Sequence, residues 1–161
     1  MDVTAASVTF ITPSVSAARD FYDRHFDTWC PFDSGWYVLI RLGRTPDAPE
    51  VGFMEPRQGA DRFGGGGMLN LIVDDVDGLH HRMSQAGEKI VIPLADNPWG
   101  DRGFGVLDPA GVVVYCHKAI PPSDEFRQFI QKSPAAQRGA QVRDPRGRTQ
   151  EERRNGRRTS G

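Results

Sequence analysis

Cysteine is nearly missing here: the 161-residue chain holds only Cys30 and Cys116. Two thiols that far apart cannot form the dense disulfide framework with which small secreted domains make up for a thin core. No stretch approaches the roughly 20 apolar residues of a membrane-spanning helix. Met1-Asp2-Val3-Thr4 offers neither a basic segment nor an apolar run, so no secretory signal is predicted. Together these absences predict a cytoplasmic protein with no membrane partner. Histidine is also scarce, at four residues, which leaves few imidazoles for a metal. From Pro134 onward apolar side chains themselves run out, with one Val and a few Ala among Gln, Arg, Gly, Pro, Thr and Ser. Such a stretch cannot bury enough surface to offset its ordering entropy, and residues 134–161 are predicted to be a disordered tail.

That tail conceals a charge asymmetry. It carries eight Arg against Asp144, Glu151 and Glu152, a surplus of five, so a whole-chain net of −1 leaves residues 1–133 at −6. An acidic body is a poor partner for nucleic acid and a suitable host for small cations. The tail could meet an acidic partner through counterion release. Its missing aromatics and interspersed Asp, Glu and Pro fit a solvated segment instead.

What the chain does have is a repeat. Val8-Thr9-Phe10-Ile11 has strand character and leads through Thr12-Pro13-Ser14-Val15 into a helical pattern over 17–26. Leu69-Asn70-Leu71-Ile72-Val73 leads through Asp74-Asp75-Val76 into a second helical pattern over 77–86. A shift of 61 positions lays Phe10 on Leu71, Val15 on Val76, Ala18 on Leu79 and Tyr22 on Met83. A period of that length implies two copies of one supersecondary unit. The function is then expected where the copies meet.

Ala18, Phe21, Tyr22 and His25 fall at helical spacing, with Ser14 or Ser16 as the expected cap. Phe32-Asp33-Ser34-Gly35 reads as a turn, with strands over 36–42 and 51–54. Residues 57–67, ending in four glycines, read as a flexible linker. In the second copy Val76, Leu79, Met83 and Ala86 make the apolar stripe, and Gly87 stands where a C-cap glycine belongs. Strands are predicted over 88–92, 103–107 and 112–117, the last two joined by the tight turn Asp108-Pro109-Ala110-Gly111. After Pro121-Pro122-Ser123, Phe126, Phe129 and Ile130 suggest a short amphipathic helix. Each copy is thus strand, helix, then two or three strands.

With these residues the chain resembles the vicinal oxygen chelate superfamily, the group of glyoxalases, extradiol dioxygenases and bleomycin-resistance proteins. The resemblance rests on Val8-Thr9-Phe10-Ile11 leading to Phe21-Tyr22, and on Val73-Asp74-Asp75-Val76. It rests also on Pro98-Trp99-Gly100-Asp101-Arg102 followed by Val106-Leu107-Asp108-Pro109-Ala110-Gly111, and spans about residues 5–120. It implies an α+β fold in which two βαβββ modules form a curved, cup-like mixed sheet. The modules are placed at 1–58 and 68–120, with a Gly-rich linker at 59–67, a short C-terminal helix at 121–133 and the tail at 134–161.

Enzymes of that superfamily hold a divalent metal from four places, and the resemblance puts these at Ser7, Met54, Met68 and Tyr115. None is a good donor to a cation that prefers imidazole nitrogen or carboxylate oxygen. Glu55 stands one residue from Met54, and His117 shares a strand face with Tyr115, but one carboxylate and one imidazole do not make a site. His80 and His81 are adjacent on a helix and point apart. No metal and no other cofactor is expected. Met68 and Tyr115, with Met54 or Phe53, would instead face the cup, bordered by Trp36, Trp99 and Phe104. Aromatic and thioether side chains make an adaptable surface for flat or cationic molecules, unless they simply fill the space.

The candidate ligand-binding residues are therefore Trp36, Phe53, Glu55, Met68, Trp99, Phe104 and Tyr115, with Glu55, Asp96 and Asp101 as anions for a positively charged ligand. No catalytic residue is assigned. Likeness to the bleomycin-resistance proteins implies a non-enzymatic binder that sequesters an aromatic or cationic antibiotic-like compound at a homodimer cleft. The alternative is a metal-dependent lyase, isomerase or dioxygenase of the same superfamily, recruiting Glu55 and His117. A third reading is a metal-free enzyme with Tyr115 or His117 as general acid or base.

Overall fold

Two successive runs of strand, helix and three strands fill residues 8–119 of the computed structural model, which describes residues 5–59 and 61–130. The first run is β1 (Val8–Ile11), α1 (Val15–His25), β2 (Thr28–Asp33), β3 (Tyr37–Leu42) and β4 (Glu50–Met54). The second is β5 (Met68–Ile72), α2 (Val76–Gln85), β6 (Ile90–Asn97), β7 (Asp101–Leu107) and β8 (Val113–Ala119). Each run makes its own four-stranded mixed sheet, ordered β1-β4-β3-β2 and β5-β8-β7-β6. In both, the first and last strands of the run are parallel neighbours and the remaining pairs are antiparallel. The fold is α+β with two βαβββ modules, and the sheets do not close on themselves.

Helix α1 buries Val15, Ala18, Phe21 and Tyr22, and α2 buries Val76, Leu79 and Met83, so the shift of 61 pairs like with like. Asp75 caps α2 by accepting from the Gly78 amide at 2.9 Å. Gly87 ends it at φ +77°, and the Glu88 amide reaches back to the Met83 carbonyl at 3.0 Å. In the first module Ser14 holds the cap position without a side-chain bond; its amide instead donates to the Thr12 hydroxyl at 3.1 Å.

Strand β2 was hidden by Pro31. It is an edge strand, where a missing amide leaves no ladder bond broken, and its pairing shifts register between Trp29 and Phe32. Pro93 hides the second half of β6 in the same way, at the opposite sheet's edge. The Gly-rich linker is held at one point: the Phe63 amide donates to the Ile11 carbonyl at 2.7 Å, and its ring meets Phe10 edge-on at 5.1 Å. From Ser123 the chain forms a separate unit, described up to Ile130, with one helical turn, α3 (Asp124–Arg127). The expected amphipathic helix is no longer than that. The predicted tail lies outside the described residues.

The covered faces of both sheets and both helices share one core, in which Phe10, Tyr22 and Phe53 join Leu79, Met83, Phe104 and Val114. Polar bonds tie the modules at its margin. The buried Tyr22 hydroxyl donates to Asp108 at 3.2 Å, and the same carboxylate accepts from the amides of Ala110 at 2.9 Å and Val112 at 2.8 Å. Burial raises the Asp108 carboxyl above its ordinary range, although these donors oppose the rise. Glu88 joins His25 at 2.7 Å and Arg24 at 3.2 Å, again from one module to the other.

Tyr22→Phe keeps the ring packing and removes only this cross-module bond. It should cost about 1 kcal/mol, read as a fall of roughly 4 °C in the thermal midpoint. A melting temperature equal to wild type would show that the bond adds nothing.

Candidate functional site

Strand alternation that sends Phe10, Val38, Ile40, Val51 and Phe53 into the core turns their neighbours to the opposite, open face. On the first sheet that face carries Thr9 and Ile11, Gly52 and Met54, Tyr37, Leu39 and Arg41, and Trp29 and Phe32. On the second it carries Met68, Asn70 and Ile72, Tyr115 and His117, Asp101, Gly103 and Gly105, and Ile92. Trp29, Phe32, Trp36, Met68, Ile72 and Trp99 all remain 38 % or more exposed. Among the described residues, these large apolar side chains are left uncovered. Two hollows of about 570 and 610 Å³ adjoin the C-terminal end of α1; Trp29 borders the first, and Asn70 and Ile72 border the second.

On the first face, aromatic rings run from Phe32 to Tyr37 (5.7 Å) to Trp36 (6.0 Å), and the Arg57 guanidinium lies 3.6 Å over the Trp36 ring. Arg41 sits 5.4 Å over Trp29 and pairs with Glu50 at 2.6 Å. Glu55 stands next to Trp36, its amide donating to the Trp36 carbonyl at 2.7 Å. The chain's own cations thus already occupy these tryptophans.

The second face is built on absent side chains. A Cβ at Gly103 would lie 2.6 Å from the Tyr115 hydroxyl and 2.8 Å from the His117 Cβ, so Tyr115 can lie over bare backbone only because residue 103 is glycine. From there its hydroxyl donates to Asp101 at 3.0 Å and accepts from the Asn97 amide at 2.8 Å. Asn97 also donates to Asp101 at 2.7 Å, and the Trp99 indole N–H donates to the other carboxylate oxygen at 2.8 Å. The Tyr115 and His117 rings stack at 5.5 Å. His117 Nδ1 is buried without a hydrogen-bond partner, 3.9 Å from Asp101. Burial pushes Asp101 upward, but donation from Asn97, Trp99 and Tyr115 outweighs it and holds the carboxyl below its usual range. Burial and the bond to Asp101 push Tyr115 up to about 12.

Trp36 and Glu55 therefore come together on the first sheet, and Met68, Trp99 and Tyr115 belong to the second. Phe53 and Phe104 do not face a ligand. Both are fully buried on the helix side, Phe53 against Phe10 and Tyr22 and Phe104 edge-on to His80. The period of two puts glycines beside them on the open face. Asp96 is engaged by Arg102 at 2.7 Å. The network of Asn97, Asp101 and Tyr115 went unread in the sequence, although the alternation of Asp101, Gly103 and Gly105 was a signal of a shared face.

Ser7, Met54, Met68 and Tyr115 do not suit a divalent cation. Two are thioethers, one is an exposed hydroxyl, and the phenol of Tyr115 is bound to Asn97 and Asp101. Among the described residues no three of His, Cys, Asp and Glu gather as a metal site. His80 packs against Phe104 while His81 is exposed, and they form no chelating pair.

Residues 4–115 match the Glyoxalase/Bleomycin resistance protein/Dioxygenase superfamily. Among solved structures, TioX from Micromonospora sp. ML1 is 21 % identical with a TM-score of 0.54, over 74 % of this chain and all of that one. The fosfomycin resistance protein FosX from Mesorhizobium loti is 17 % identical with a TM-score of 0.56, over 74 % and 94 %. A glyoxalase/bleomycin resistance protein/dioxygenase from Nocardioides is 15 % identical with a TM-score of 0.59, over 74 % and 85 %. At these identities the likeness is one of fold. No curated protein sequence matches.

Gly103→Ala should force Tyr115 off its backbone seat, costing about 1–3 kcal/mol in a thermal melt and shifting the Trp99 indole NMR signal; an unmoved indole would sink this account. Asp101, depressed in the folded state, contributes stability above the ordinary unfolded value of about 3.9 and loses it as pH falls through the folded value. Wild type should therefore lose more stability than Asp101→Asn on going from about pH 5 to pH 2. Parallel acid unfolding curves would contradict this.

Proposed function

The chain belongs to the glyoxalase/bleomycin resistance protein/dioxygenase superfamily, and on that premise we propose that it is a non-enzymatic small-molecule binding protein. It holds an aromatic or cationic, antibiotic-like compound on its open sheet faces without protein-bound metal. One observation carries this reading. The positions from which the superfamily would grip a metal are occupied by two thioethers, a serine hydroxyl and a hydrogen-bonded phenol, and exposed aromatic rings stand on the same sheets. Trp36 and Glu55 serve the ligand from the first face, and Met68, Trp99 and Tyr115 from the second. A second copy of the chain covers these faces, because apolar rings this exposed gain from burial and each sheet offers only half a cup.

FosX as a structural neighbour keeps a metal-dependent enzyme as the alternative, since one such structure is of a complex with Mn(II) and sulfate ion. Metal analysis of purified protein, with thermal shifts in Zn, Ni, Mn, Fe(II) and Co against a chelator control, separates the two. The expected result is negligible metal and no stabilisation, together with tryptophan quenching by cationic aromatic antibiotics. About one tightly held metal per chain would overturn the binding reading, and Glu55 and His117 would then be mutated first.

A further inference from the structure

Asp101 stands apart among the carboxylates of the open faces. Its side chain is only 15 % exposed, and it is held by three neutral donors: the Asn97 amide, the Trp99 indole and the Tyr115 phenol. Asp108 is also held by neutral donors, but it is sealed at the margin of the core, bound to the Tyr22 hydroxyl and the amides of its own turn; several carboxylates in or beside the sheets have a cation at hand. Glu50 has Arg41, Asp33 has Arg19, Asp77 and Asp96 share Arg102, and Glu88 has Arg24. Among the described residues no Lys or Arg pairs with Asp101, and its nearest nitrogen base is His117 at 3.9 Å, charged only if protonated. A largely buried carboxylate without a counter-charge carries a desolvation cost that neutral donors offset only in part.

The geometry points to a ligand cation as the missing partner: we infer that Asp101 is the anchor for an ammonium or amidinium group carried on an aromatic ring. This rests on the small-molecule reading above and names the chemistry of its ligand. The donors fix the carboxylate and keep it charged, so it is pre-organised before anything binds. The exposed apolar side chain of Ile72, level with His117 and Gly103 on the same face, offers a seat for the ring. The first face cannot take the cation in this way, because Arg57 and Arg41 already lie over its tryptophans. The two faces therefore differ in role, one receiving charge and the other receiving flat apolar surface.

The test uses the full chain and two matched probes, 2-phenylethylammonium chloride and neutral 2-phenylethanol, followed by NMR titration of the β7 and β8 amides and the Trp99 indole. Wild type should bind the ammonium about tenfold more tightly than the alcohol. Asp101→Asn should remove that preference and leave alcohol binding unchanged. Asp20→Asn, at an exposed carboxylate on α1, should behave as wild type. Equal affinity of wild type for the two probes would overturn the anchor and leave the binding site standing, as would a preference that survives in a folded Asp101→Asn. If neither probe moves any signal on the open face, the binding reading itself falls and takes the anchor with it.

Discussion

The open faces exist because the other sides of the sheets are shut. Two helices and two sheets share one core, and the residues that seal it come from both modules, with Tyr22 reaching across to Asp108. Asp108 is at once the knot of the β7–β8 turn and the far end of that cross-module bond. The turn in turn sets the register of β7 against β8, and the register decides that Tyr115 lies opposite Gly105 and His117 opposite Gly103. A network on one side of the sheet thus depends on packing on the other.

Once a sheet's covered face is fixed, alternation leaves its open face no freedom in direction, only in residue type. The second sheet uses that freedom by omission. Glycine at 103 clears the floor over which Tyr115 lies, glycine at 105 makes room for Ile92, and Asn97 and Asp101 bind the Tyr115 hydroxyl at the rim. The first sheet fills its face with rings and lays guanidinium groups over two of them.

Much of the fold was legible because it was written twice. The apolar stripes of α1 and α2 and the Asp108–Gly111 turn each carry strong local chemistry. The edge strands β2 and β6 were harder, since Pro31 and Pro93 are tolerated only at an edge and edges are a property of the finished sheet. On the open faces, the positions of Met68 and Tyr115 follow from counting along the chain from the second helix and the Asp108–Gly111 turn. Phe53 and Phe104 turn to the helix side instead, because neighbouring residues of a strand face opposite ways. Asn97 with Asp101 is a non-local pairing with Tyr115, invisible until two strands are laid side by side.

The linker's attachment through Phe63 to β1 bears on how the two halves have come to differ. A joint pinned to one sheet keeps the copies in a single chain with fixed neighbours, so neither half must remain able to replace the other. Selection can then act on each half alone. One half carries guanidinium groups over its tryptophans and the other a carboxylate held by neutral donors, on the same strand plan.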